Sequence, residues 1–480
     1  MENYTKQIIS AVALFVAASQ FVCAQGDLFA TGCVIDDDAY SKIPQNVTLL
    51  TRDYSILPSS VSLLKYCPEV GNQNPYGTCT SWATTYAART IAEAVKYGWT
   101  SKAQITDESF APIFIYHQIK GGTQGCSTGT CIDDALKLLR DKGAPKYKHF
   151  RVLCTDYIPN QLYTEASNFK IDDFTCLFGG VTPYDAKINK TKKALAEERP
   201  VIVAMKLPDS FHKAGEYWQY RQGDPVNGGN HAMCVVGYDD NKNGGSFLFM
   251  NSWGKKWGKD GFTWVTYKDF HQFVHWGFEM YVKKWLSPLR IDPLPQPQPK
   301  PRPVKNKLAG SMSIKLSTGE TMDVSLISST IPFYQAGHSF ISGTRCRFYI
   351  SNNEPAYVYV IGSDLENNVS CVFPPEEGIS PALTYKSNNI AIPNENWYIE
   401  MDNTKGKDYF CVLYSMNELP IKDVILKIRN GSGLFSHRLQ KALSDKLASV
   451  SDIKFEQKRI SFEATTYATV VPLIVEVAHQ

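Results

Sequence analysis

Residues 288–303 carry proline at every second position from Pro293 to Pro303, and this alternation divides the chain into two bodies. Proline at that density removes amide donors and favours an extended, semi-rigid spacer. A chain of 480 residues is also too long for one ordinary core. The spacer, residues 288–305, is therefore expected to hold two separately folded bodies apart, with the second adding little to the first. The hydrophobic period changes across it. Before it, Trp82, Ala83, Tyr86, Ala87, Thr90, Ile91, Ala94 and Val95 recur at helical spacing from about Cys79, and Gly98 lies just past the end. Ile132, Ala135, Leu136 and Leu139 predict a second helix, while residues 201–204, 232–238 and 247–250 read as buried strands. Helices first and strands later predict an α+β body over residues 58–287. After the spacer the period becomes two. Residues 345–350, 356–361, 369–373, 409–414 and 424–428 read as strands, and only residues 434–447 look helical. Residues 306–480 are thus expected to form a mainly β sandwich or barrel.

The amino terminus has the features of an export leader. Lys6 precedes an apolar stretch over residues 8–21, and Val22-Cys23-Ala24 supplies small residues for cleavage. Residues 1–24 are read as a signal peptide, with residues 25–57 a short extension. The mature protein is expected to be secreted, periplasmic or at the cell surface. Lipidation at Cys23 is less favoured, because Val22 is a poor fit before an acylated cysteine. A net charge of +3 gives no polyelectrolyte signal and argues against nucleic acid as a partner. An oxidising compartment permits disulfides among the 12 cysteines. Leaving aside Cys23 in the leader and Cys79, seven precede the spacer and three follow it, an odd number on each side. Either one bridge joins the bodies or each keeps a free thiol, for which Cys234 in its apolar run is the candidate. No close cysteine pair stands near a histidine pair, so neither metal nor cofactor is expected.

Chemistry concentrates in four places, in the order Gln73, Cys79, His231 and Asn251. A thiol attacks a carbonyl as thiolate, and Cys79 at a helix start would meet the positive end of the macrodipole. His231 is the candidate partner that stabilises the thiolate and returns a proton to the leaving amine. Asn251 would orient the imidazole without adding charge, and Trp253 would shield that hydrogen bond. The Gln73 amide and the Cys79 backbone amide can face the developing oxyanion. A lone cysteine at a helix start, or a lone histidine near a strand, is more often structural. It is the ordered set that carries the reading.

These motifs resemble those of the papain-like cysteine peptidases over roughly residues 58–285. The spacing from Gln73 to Cys79, the segment Asn251-Ser252-Trp253-Gly254, the second pair Trp257-Gly258 and the pair Gly261-Phe262 carry the likeness. The resemblance implies a fold with an N-terminal helical lobe and a C-terminal β-rich lobe, and hydrolysis of protein or peptide substrates. It also implies that Gly129 and Thr130, after the glycine-containing stretch Gly125-Cys126-Ser127-Thr128, bind an extended substrate strand. Ala204 and Ala232 would line the pocket for the second residue before the scissile bond, and two small side chains there predict bulky apolar substrate residues. The chain departs from the family in having Tyr76 at the usual structural cysteine and Thr80 at the usual tryptophan. Residues 25–57 are also too few for the usual helical prodomain. The body after the spacer resembles a bacterial accessory domain of unknown function, and its ligand is unreadable. The rival readings are a cysteine amidase or peptidoglycan hydrolase, and an inactive papain-like binding protein.

Overall fold

The computed structural model describes residues 29–45, 57–282, 305–364, 368–375, 379–383, 389–395, 397–401 and 403–480. The expected leader with Cys23, and the proline run, lie outside the described residues.

The apolar spacing after Cys79 forms one continuous helix, Cys79–Ser81 and Thr90–Tyr97 flanking a wider π-helical stretch, Trp82–Arg89. It buries Trp82, Ala83, Tyr86, Ala87, Ile91 and Ala94, and ends at Gly98, whose φ of 67° is left-handed. Inside the helix Arg89 donates to Glu93 at 2.6 Å, and its guanidinium lies 4.3 Å from the centroid of the Phe110 ring. Burial alone would raise the Glu93 pKa, but Arg89 and Lys146 more than offset it, so the carboxyl stays below its usual range. The second expected helix forms as Ile132–Asp141. Pro112–Ile119 and Tyr184–Ala196 are helices that periodicity did not reveal; the first is buried over most of its length and so has no polar stripe.

The β-rich lobe is an eight-stranded, mostly antiparallel sheet. Its order is Asp173–Phe178, Val274–Tyr281, Val201–Lys206, Asn230–Asp239, Ser246–Met250, Phe262–Thr266 and Tyr217–Trp218, with Ser60–Ser62 added beside Asn230–Asp239. The three strands expected from sequence are its centre. The body before the spacer is thus the α+β fold anticipated.

The second body is a β-sandwich of a six-stranded and a seven-stranded sheet. Ile314, Phe348 and Ile350 from one sheet meet Val358, Val412 and Leu473 from the other. One expectation fails here: residues 424–428 lie within a helix, Ile421–Arg429. Val424, Ile425 and Ile428 share one helical face, which packs with Phe435 and Leu439 of Phe435–Leu443 on the outer side of the larger sheet. β-branched content suggested a strand there, and tertiary packing decided otherwise. Val470–His479, paired along its length with Gly406–Ser415, was not anticipated. Pro472 breaks its strand signal, and it sits in a stretch that the other neighbour, Phe333–Ala336, does not reach.

The two bodies are not held apart. Tyr357 Oη donates to Asp173 Oδ2 at 3.2 Å, and the Ser380 amide donates to the Gln45 carbonyl at 2.8 Å. Proline content describes the spacer, not the faces it joins.

The helix carrying Cys79 depends on its buried ion pair. Glu93→Gln leaves Arg89 and Lys146 with less negative charge in a dry site, and should lower stability by about 3 kcal/mol. Urea unfolding, with an unchanged slope and a lower midpoint, is the measurement.

Candidate active site between the two lobes

Strand register brings the histidine and the asparagine together. His231 opens the strand Asn230–Asp239, and Asn251 follows the end of its neighbour Ser246–Met250, with Cys234 opposite Met250. His231 Nε2 lies 2.8 Å from Asn251 Oδ1, so the donor is Nε2–H and Nδ1 is the nitrogen left over. Trp253 covers this pair, its ring 4.4 Å from the His231 ring and inclined by 23°.

The same segment builds the opposite wall. The Gln73 amide donates to the Ser252 carbonyl at 2.8 Å, and the Gly254 amide to the Gly71 carbonyl at 2.9 Å, tying the helical lobe to the sheet. Ser252 Oγ donates to Gln73 Oε1 at 2.6 Å, which turns the Gln73 NH2 group in a fixed direction. Thr80 Oγ1 donates to the Thr130 carbonyl at 2.9 Å, joining the nucleophile helix to the segment expected to bind substrate. Thr80 thus acts as a polar tie where the family has tryptophan. Cys126 and Cys154 form a disulfide, and the Gly77 amide donates to the Cys126 carbonyl at 2.9 Å. Among the described residues the other cysteines are free, Cys234 included and buried, and no bridge joins the two bodies.

The cleft is filled by the chain's own extension. The Gly32 amide faces the Cys79 sulfur, together with the amides of Ala232 and Thr80. The Ala30 carbonyl accepts from Gln73 Nε2 at 3.0 Å and from Trp253 Nε1 at 2.9 Å, so it occupies the donor expected from the sequence to face an oxyanion. The Gly32 carbonyl accepts from the Thr130 amide at 2.9 Å, and Cys33–Val34 pairs in parallel with Thr130–Cys131. Gly129 is closely packed: a Cβ there would lie 3.0 Å from Val34 Cγ2 and 3.1 Å from the Gly32 carbonyl oxygen, so these neighbours would have to give way slightly. Phe29 stacks on Trp253 at 4.9 Å. Farther along, Tyr40 packs edge-on against Trp276 and Phe278, and its hydroxyl donates to the Val34 carbonyl and accepts from the Ile132 amide. The described residues 29–45 form a strap along the cleft.

The strap changes the electrostatics of the dyad. Cys79 and His231 are both fully buried. Burial pushes the Cys79 thiol up to about 11, although the amides of Ala232, Gly32 and Thr80 oppose it. Burial pulls the His231 imidazole down to about 3, against the Asn251 hydrogen bond, with nearby His212 lowering it further. Both shifts favour the neutral thiol and imidazole over the ion pair. His231 Nδ1 has no hydrogen-bond partner among the described residues.

Residues 64–275 match the family model described as papain family cysteine protease. The chain carries a papain-family domain. Residues 339–418 match a domain of unknown function, DUF4384. An uncharacterized peptidase C1-like protein of Acanthamoeba polyphaga mimivirus is 28% identical over 214 residues, covering 41% of this chain and 64% of that one. Cysteine proteinase 3 of Solanum lycopersicum is 40% identical over 73 residues, 15% of this chain and 20% of its own. The chain thus spans less than two thirds of either relative. Xylellain, a cysteine protease from Xylella fastidiosa, is 22% identical with a TM-score of 0.43, over 53% of this chain and 96% of that one.

Within the papain-family domain, Gln73, Cys79, His231, Asn251 and Trp253 converge, and Gly129 and Thr130 lie beside them against the strap. Ala204 and Ala232 are register partners and fully buried. Among the described residues Cys131, Asp133 and Asp134 bring possible ligand atoms within 4.8 Å of one another, at the first turn of a helix where such acids complement the dipole. Sequence reasoning missed the strap, Ser252 and His212. Ser252 was in plain view in the motif, whereas His212, stacked on Trp253 at 5.0 Å, had no signal.

A Cβ on Gly32 would run into the Gly77 carbonyl, so Gly32→Val should dislodge the strap. Alkylation of Cys79 by iodoacetamide at pH 7, followed by peptide mapping, should then be at least about 10-fold faster than in the parent, as the pKa shifts relax.

Proposed function

We propose that the chain is an exported cysteine peptidase, held latent by residues 29–45, that hydrolyses peptide bonds through a Cys79–His231 pair. The observation that carries this reading is the His231 Nε2–Asn251 hydrogen bond under Trp253, which leaves Nδ1 as the nitrogen for the thiol. When the strap leaves, water and substrate re-enter and the proton can pass from Cys79 to His231. The thiolate then attacks the substrate carbonyl, and the Gln73 amide, aimed by Ser252, receives the oxyanion with the Cys79 backbone amide. The tetrahedral adduct collapses as imidazolium Nδ1 protonates the departing amine, leaving a thioester on Cys79. Water, deprotonated by His231, releases the acid and restores the thiol.

The extended strap against Thr130 supports an extended peptide as the bound form, because the same amide can take a substrate carbonyl. Its pairing there is parallel. Ala204 and Ala232 are read as the small walls of a pocket that favours bulky apolar residues.

In the Gly32→Val background, Cys79→Ala and His231→Ala should each lower kcat/KM for a fluorogenic peptide by about 10⁴-fold or more. Asn251→Ala should retain partial activity, since the dyad remains. Full activity in Cys79→Ser would contradict the assignment. Ser252→Ala should lower kcat by about 10-fold with little change in KM, because it loosens only the oxyanion donor.

A further inference from the structure

At Pro44 and Gln45 the strap makes a contact that belongs to neither its own cleft nor the dyad. Asp173–Phe178 is the edge strand of the eight-stranded sheet, and an edge presents unpaired amides and carbonyls. Gln45 adds to this edge: it bridges Cys176 in parallel, and the Cys176 amide donates to the Pro44 carbonyl at 3.1 Å. On its other side Gln45 bridges Ile379 of the second body, also in parallel, and its carbonyl accepts from the buried Ser380 amide. Through these two isolated bridges, Gln45 is stitched between the two domains. Tyr357 and Asp173 close the same junction with their hydrogen bond.

We propose that the second domain is the clamp of the latent state: it holds the strap in the cleft by capping Gln45, and its displacement is what frees Cys79. This rests on the peptidase reading above. Among the described residues the grip is made by polar groups, the Gln45 carbonyl with the Ser380 amide and Tyr357 with Asp173. Beside it lies a cavity of about 310 Å³ lined by Arg140, Asp172, Asp173, Tyr357, Asn417 and Glu418. A narrow polar junction with a void beside it is one that a competing partner of the second domain can open. Pulling that domain away strips the Gln45 carbonyl of its donor and leaves an edge addition supported on one side only. Force or partner binding on the sandwich is thereby converted into release of a segment that reaches back to the nucleophile.

The test uses the full chain with Tyr357→Phe, which removes one hydroxyl, and separately with Ser380→Pro, which removes the amide that Gln45 uses. The readout is the rate of Cys79 alkylation by iodoacetamide at pH 7, with Gly32→Val as the strap-free reference. Each clamp variant should react about 3- to 10-fold faster than the parent, as expected for the loss of one hydrogen bond. Rates equal to the parent in Tyr357→Phe, with Gly32→Val fast and active on peptide, would overturn the clamp and leave the peptidase intact. A Gly32→Val chain whose Cys79 labels quickly but which cleaves no peptide would overturn the peptidase reading, while the clamp would still stand or fall by the labelling rates. A Gly32→Val chain that labels no faster than the parent would remove the strap and the clamp together. Should Ser380→Pro not fold, Tyr357→Phe decides.

Discussion

The short antiparallel join between Gly71–Gln73 and Ser252–Gly254 is the constraint on which the site depends. Two backbone hydrogen bonds, Gln73 to Ser252 and Gly254 to Gly71, fasten a helical lobe to a β lobe whose functional residues lie far apart in sequence. Each lobe alone would carry half a constellation. Asn251 precedes the join and fixes the imidazole; Ser252 lies in it and fixes Gln73; Trp253 follows and shields both. A four-residue segment therefore sets two orientations and supplies the cover, which is why it is so legible as a motif.

On the reading proposed above, the strap acts through dielectric as much as through obstruction. The strap blocks the cleft, but it also excludes water from a pair whose reactivity depends on separated charge. Burial pushes the thiol up and the imidazole down, and both shifts favour the neutral pair under the strap. The Gly32 amide beside the sulfur is too weak a compensation for lost solvation. On that same reading, uncovering would supply access and ionisation together.

Much of the catalytic body was readable because its signals are local. Cys79 at the head of a periodic helix, and Asn251-Ser252-Trp253-Gly254 after a buried strand, each announce a geometry over a few residues. The strap was not readable, because Ala30 and Gly32 bind through carbonyl and amide groups that every residue owns. Its glycine is informative only once Gly77 is known to lie against it. Residues 421–429 show the opposite failure: Val424, Ile425 and Ile428 fit a helix face and a β-rich composition equally well, and only the sheet beneath them decides. The junction at Gln45 was hidden for the same reason as the strap, since its bonds are backbone to backbone.

The Cys126–Cys154 bond has a consequence for how the protein responds to reducing equivalents. Cys126 accepts from the Gly77 amide, two residues before the nucleophile, and its loop runs on to Gly129 and Thr130. A small-molecule thiol that keeps Cys79 reduced can also exchange with this staple once concentrated enough. The first reaction restores a nucleophile, whereas the second loosens the wall against which peptide must lie. On the peptidase reading proposed above, reductant therefore acts at two places: the buried Cys79 thiol once the strap has left it, and the Cys126–Cys154 staple.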